Sequence, residues 1–126
     1  MVKQKKILLK DMVKTTYNKY GNKKVQYKGI KFDSKKERDY YIVLEQYLKL
    51  GKIKDLKLQE SYELIPTYKI NGKTIRKTIY KADFSYVTTK DNKLHIVDTK
   101  GFRTDVYKLK KKMFEYKYKI EIEEIS

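Results

Sequence analysis

Cysteine and tryptophan are missing from this 126-residue chain, proline and histidine occur once each, and apolar runs stop after a few residues. Without cysteine there is no disulfide, no thiolate zinc site and no cysteine nucleophile, and nothing points to an oxidising compartment. A lone His95 excludes a metal site built from several histidines. No segment approaches the roughly 20 apolar residues that span a bilayer. The basic start offers only Ile7-Leu8-Leu9 as an apolar run, too short for a signal-peptide core. The expectation is a soluble, cytoplasmic protein, and at this length one domain with a single core.

What is abundant is positive charge. Lys and Arg number 32 against 16 Asp and Glu, a net of +16, and 13 tyrosines accompany them. Such an excess favours a polyanionic partner, although a lysine-rich composition also produces basic surfaces that bind nothing in particular. Most of the cations are lysines, which meet phosphate as point charges and read base edges less well than arginine. Affinity for nucleic acid is therefore expected to be directed at the backbone and to fall with salt.

Residues 1–19 read as a basic arm with few periodic apolar positions. Residues 20–126 read as the folded domain. Lys24-Val25-Gln26-Tyr27 and Ile30-Lys31-Phe32 flank Lys28-Gly29 as a short hairpin. Ser34 followed by Glu37 matches a capping box and predicts a helix from Lys35 to about Leu50, stopped at Gly51, with Tyr41, Leu44 and Leu48 as its apolar stripe. Ile53 to Leu58 and Tyr62 to Ile65 read as extended. Asn71-Gly72 between two short β-prone segments is the strongest hairpin signal in the chain. A long strand from Ile79 to Thr88 and a returning strand from Leu94 to Lys100 follow. Thr104 caps a second helix to about Tyr118, with Val106, Leu109, Met113 and Tyr116 as the predicted stripe, and Lys119 to Ile125 closes as a strand. The order predicts an α/β fold, a mixed β-sheet flanked by two helices.

Within that order, Asp83 falls on one strand, and Asp98 and Lys100 fall two residues apart on the next, so that both project from one face. Two converging carboxylates bind a hard divalent cation, and an ammonium beside them orients or helps to deprotonate an attacking water. Each residue also has a plainer account: a surface salt bridge for Asp83, a strand end for Lys100. Asp98 is the hardest to dismiss, because Leu94, Ile96 and Val97 mark a largely buried strand. Two accounts fit Glu37: the capping box, or a further carboxylate turned from the first helix towards the sheet. Gln59 is either an exposed strand residue or a polar contact near the same place. Arg103, Lys108, Lys111 and Lys112 follow Asp98-Thr99-Lys100-Gly101 directly and form the expected nucleic-acid-binding rim.

The order Glu37, Asp83, then Asp98-Thr99-Lys100 resembles the PD-(D/E)XK nuclease superfamily. More closely, the blocks Tyr27 to Glu37, Tyr80 to Phe84 and Asp98 to Asp105 look like a small phage-encoded family long catalogued as a domain of unknown function. The resemblance implies a restriction-endonuclease-like αβββαβ core. It implies Asp83, Asp98, the Thr99 carbonyl and Glu37 as metal ligands, Mg²⁺ (or Mn²⁺) as cofactor, and Lys100 as the residue that positions the nucleophilic water. Two departures stand out: Ala82 replaces the usual proline, and Asp98 stands where glutamate is commoner, shortening the reach to metal by one methylene.

The function expected on this resemblance is a metal-dependent DNA endonuclease, selective for branched or junction DNA in phage recombination or replication, and a possible homodimer. The alternative is a non-catalytic nucleic-acid-binding protein that keeps the fold, with some tyrosines stacking on unpaired bases.

Overall fold

The computed structural model describes residues 14–17 and 23–126. Cα packing separates two compact units, residues 1–54 and 55–126. The described residues hold a mixed α/β architecture with two helices and a four-stranded sheet.

In the first unit, strands β1 (Lys14–Tyr17), β2 (Lys23–Tyr27) and β3 (Ile30–Phe32) form an antiparallel sheet in that order. Lys28 and Gly29 both take positive φ, 52° and 79°, which matches the right-handed twist of a tight hairpin. Of the basic arm expected over residues 1–19, Lys14–Tyr17 pairs with β2, and the remainder lies outside the described residues.

Helix α1 (Lys35–Lys49) starts where the capping box places it. The Ser34 hydroxyl accepts from the Glu37 amide at 3.1 Å, and Glu37 Oε1 accepts from the Asp33 amide at 3.1 Å. Tyr41 and Leu44 bury the predicted stripe against Val25, Tyr27 and Phe32, with the Tyr41 ring 5.4 Å from that of Phe32. Glu45 is buried in the same core. Its two oxygens accept from the Tyr27 hydroxyl (2.6 Å) and the Lys28 ammonium (2.9 Å), and burial together with Glu45 pushes the Tyr27 phenol up to about 12.

In the second unit, the four-stranded sheet runs β11-β10-β9-β4, from β4 (Ile53–Leu58), β9 (Phe84–Thr88), β10 (Lys93–Thr99) and β11 (Ile122–Ile125). β9 and β10 are antiparallel. Helix α2 (Asp105–Tyr118) provides the crossover that lets β11 lie parallel to β10. β5 (Ser61–Ile65) and β8 (Thr78–Lys81) form a separate antiparallel pair, and so do β6 (Tyr68–Ile70) and β7 (Lys73–Ile75). Leu64, Tyr80, Ala82, Ile96, Tyr107, Phe114 and Ile122 make the core.

Two expectations fail here. The strand expected over Ile79–Thr88 is interrupted at Ala82 and Asp83, where the chain leaves β5 and joins the four-stranded sheet. The Ala82 amide donates to the Glu60 carbonyl (3.2 Å), and the Asp83 carbonyl accepts from the Gln59 amide (3.1 Å), so the break is hydrogen-bonded. The stripe expected on the second helix also points the wrong way. Val106, Leu109 and Tyr116 are 64, 57 and 78% exposed, whereas Tyr107 and Phe114 are buried and Met113 is partly so. Aromatic rings carry more apolar area than Val or Leu. The helix is accordingly turned so that Phe114 meets Tyr62 (5.1 Å), Tyr80 (5.4 Å) and Tyr118 (4.9 Å).

Phe114→Ala is therefore expected to cost about 3–5 kcal/mol in urea denaturation. Val106→Ala is expected to stay within about 0.5 kcal/mol, the reverse of what an apolar-stripe reading of that helix requires.

Candidate active site

The cluster forms where the chain changes sheets. Phe84 pairs with Val97, so Asp83, one residue before β9 begins, lies across from Asp98, one residue further along β10. Ile96, Val97 and Asp98 have no exposed surface, which places an ionisable carboxylate inside a strand buried on both faces. An unpaired charge there is costly, and the surrounding groups reflect it.

Asp98 Oδ2 accepts from the Tyr80 hydroxyl. Its Oδ1 faces the Lys100 ammonium at 3.2 Å, an ion-pair approach without hydrogen-bond geometry, so this buried oxygen carries no hydrogen bond. Burial, then the closeness and charge of Asp83, push the Asp98 carboxyl up to about 6 against the opposing pull of Tyr80 and Lys100. The Tyr80 phenol moves far up as well, through burial and then through its bond to Asp98.

Asp83 is held by neighbours on both sides. Its Oδ2 accepts from the Thr99 amide (2.8 Å) and the Thr99 hydroxyl (2.9 Å), and its Oδ1 accepts from the Gln59 side chain at 3.2 Å. Gln59 reaches it from the β4–β5 connection with a positive φ of 55°. Lys100 follows β10 directly. Its amide donates to the Ile125 carbonyl (3.2 Å) and its ammonium sits 4.8 Å from the centre of the Tyr107 ring. The Tyr107 hydroxyl donates to Glu124 Oε2 (2.8 Å), and Arg103 pairs with Glu124 Oε1 at 3.0 Å. Burial alone would raise Glu124, but the bonds from Tyr107 and Arg103 and the Arg103 charge outweigh it and hold this carboxyl below its ordinary value.

Asp83, Asp98, Thr99, Lys100 and Gln59 thus meet at one place. Glu37 belongs to the first unit, where it closes the start of α1. Of the expected basic rim, Lys108 and Lys112 are exposed, while Arg103 is paired with Glu124 and Lys111 with Glu115 at 3.0 Å. His95 is engaged elsewhere, between Glu123 (2.5 Å) and Thr88 (3.1 Å) with its ring stacked on Tyr86. Tyr80, Tyr107 and Glu124 are the site residues that sequence reasoning missed. The recurrence of large rings at Tyr107 and Phe114, seven apart, was the signal for Tyr107. Nothing local marks Tyr80 or Glu124, which arrive through strand pairing.

Among the described residues no group of three or more His, Asp or Glu is placed to hold a metal ion, so the acidic part of the cluster is the pair Asp83 and Asp98. Fold and site together define a mixed α/β protein with a carboxylate–lysine cluster at a strand break. The chain belongs to the family described as Protein of unknown function (DUF1064), which it matches over residues 17–124. No curated protein and no solved structure is detectably similar to it. No helix among the described residues is long and apolar enough to cross a membrane.

The position of Asp98 makes a prediction about pH. Its folded-state pKa of about 6 lies above the ordinary 3.8, so across that window the folded chain holds the proton more readily than the unfolded one. The stabilising contribution is present below the lower value and is lost as pH rises through the upper one. In EDTA, Asp98→Asn is expected to melt at a higher temperature than wild type at pH 8. The gap should shrink as pH falls below about 6, which scanning calorimetry across pH 4–8 would check.

Proposed function

We propose that the protein is a metal-dependent DNA endonuclease of the PD-(D/E)XK kind, built on a restriction-endonuclease-like αβββαβ core. Its proposed substrate is branched duplex of the sort formed in phage recombination and replication. The observation that carries this reading is the wholly buried Asp98, with Oδ1 lacking a hydrogen bond, beside Asp83 and 3.2 Å from the Lys100 ammonium. A structural ion pair has no need of a second carboxylate so close that it raises the first. A site for a divalent cation does.

The donors fit such an ion, since carboxylate and carbonyl oxygens suit Mg²⁺ or Mn²⁺ rather than softer metals. Asp83, Asp98 and the Thr99 carbonyl would hold it. Once bound, the ion would supply Lewis-acid polarisation of the phosphate and a water of lowered pKa.

The remaining work falls to this chain's own side chains. Tyr80 fixes the orientation of Asp98, and Thr99 and Gln59 fix that of Asp83. Lys100 keeps one side towards solvent, 29% exposed, where its charge can meet the anionic phosphate and steady a water aimed at it. The Tyr107 ring beneath the ammonium limits its wandering. The net charge of +16 supplies long-range attraction for a polyanion.

A second reading, a non-catalytic nucleic-acid-binding protein, is favoured by one observation: both oxygens of Asp83 already accept hydrogen bonds from the protein. The two separate in a cleavage assay on a four-way junction, a flap, linear duplex and single strand, with Mg²⁺ or Mn²⁺ and with EDTA. Metal-dependent products are expected. Lys100→Ala should slow their formation by about 100-fold or more, and Asp83→Ala and Asp98→Ala should abolish it. Undiminished cleavage in all three variants sinks the nuclease assignment. Tight binding without products, unchanged in Asp98→Ala, selects the binding protein.

A further inference from the structure

Between Glu63 and Asp83 there is no acidic residue, while Lys69, Lys73, Arg76, Lys77 and Lys81 fall in the interval. None of these five cations forms an ion pair within the described residues. The middle of that interval is the β6–β7 hairpin. From Ile65 to Lys77 every residue is exposed except Ile75, which is half-buried. Tyr68 and Ile70 are 47 and 56% exposed. The hairpin has its own scaffolding: Asn71 and Gly72 make the turn with φ of 51° and 75°, and the Lys77 amide closes the base on the Thr67 hydroxyl at 3.2 Å.

A two-stranded ribbon packed at no residue but Ile75 is only marginally stable in water, and an exposed tyrosine and isoleucine gain nothing from projecting into solvent. The register separates two faces. Tyr68 pairs with Ile75 and Ile70 with Lys73 on one, and Lys69 pairs with Thr74 on the other. One face therefore carries Tyr68, Ile70 and Ile75 with Lys73 at its turn end, the other Lys69 and Thr74, with Arg76 and Lys77 at the base. The major groove of duplex DNA is about 12 Å wide and admits a two-stranded ribbon.

We propose that the β6–β7 hairpin is a DNA-binding ribbon that enters the major groove of duplex DNA. Lys69, Lys73 and Arg76 meet the flanking phosphates, and Tyr68 and Ile70 face the base edges, where thymine methyl groups offer apolar contact. The choice of DNA over an acidic protein follows from the uninterrupted positive charge on so narrow a two-stranded element. The inference rests on the endonuclease reading only for the identity of the ligand. It assigns binding to a segment that the rim of Arg103, Lys108, Lys111 and Lys112 does not include.

The test is the salt dependence of binding to a labelled linear duplex, from about 50 to about 200 mM salt, for the triple variant Lys69→Gln, Lys73→Gln, Arg76→Gln. Each lost phosphate contact lowers the slope of log affinity against log salt by about 0.9, so the triple variant should lose about 2.7 from it. A matched triple, Lys35→Gln, Lys36→Gln, Lys49→Gln, removes the same charge from exposed positions on α1 and should keep the wild-type slope. Tyr68→Ala should weaken binding with the slope unchanged. Turnover should stay at the wild-type rate in the α1 triple.

The proposal is overturned if the hairpin triple keeps the wild-type slope and affinity, or if the α1 triple loses as much. It is equally overturned if the wild type ignores duplex DNA but binds poly-L-glutamate, which would make the ribbon a dock for an acidic protein. Binding through the hairpin without cleavage would leave the ribbon standing and remove the nuclease. Cleavage with an indifferent hairpin would do the opposite.

Discussion

A carboxylate with no exposed surface, Asp98, constrains more of the second unit than any other group. Moving a charge from water into a protein interior costs several kcal/mol unless partners replace the lost hydration. Four separate elements surround it: Tyr80 from β8 and Lys100 from the end of β10 favour the charge, Asp83 from the break before β9 opposes it, and Tyr107 from α2 lies beneath that lysine. Strand pairing sets the first three, and the aromatic packing of α2 sets the fourth. The exposed Val106 and Leu109 follow from the same requirement, because a helix rolled to bury them would carry Tyr107 away from Lys100 and Glu124.

The first unit contains an instructive contrast. Glu45 is also buried, and also close to a tyrosine and a lysine, yet each of its oxygens accepts a hydrogen bond from one of them. That is how a buried carboxylate is arranged when its task is to hold a hairpin against a helix. Asp98 differs in having one oxygen that only approaches its cation, and a second acid close by. The difference between the two carboxylates, rather than burial as such, is what the proposed metal site rests on.

Much of this was legible in the chain. The Ser34 cap, the Gly51 stop, the two positive-φ turns and the apolar Ile96-Val97 run that marks a buried strand around Asp98 are local signals, and the structure carries each of them. The proximity of Asp98 and Lys100 follows from a period of two. The failures occurred where tertiary partners decide. Ile79 to Thr88 is strand-forming apart from Lys81, Ala82 and Asp83, and that local dip does not announce that the chain exchanges one partner strand for others at Asp83. On α2, two apolar stripes compete, one aliphatic and one aromatic, and only the packed neighbours Tyr62 and Tyr80 choose between them. Tyr80 and Glu124 could not have been found without strand register, since their link to the site is made across β8 and β11.

The break at Asp83 has a consequence of scale. β8 runs from the foot of the exposed hairpin to Lys81, two residues short of that aspartate, so Thr78 to Asp83 acts as a short spacer between them. Six extended residues span at most roughly 20 Å, about six steps along a duplex at 3.4 Å each. On the proposed reading, a duplex segment of about half a turn would therefore be long enough to touch both ends of this spacer.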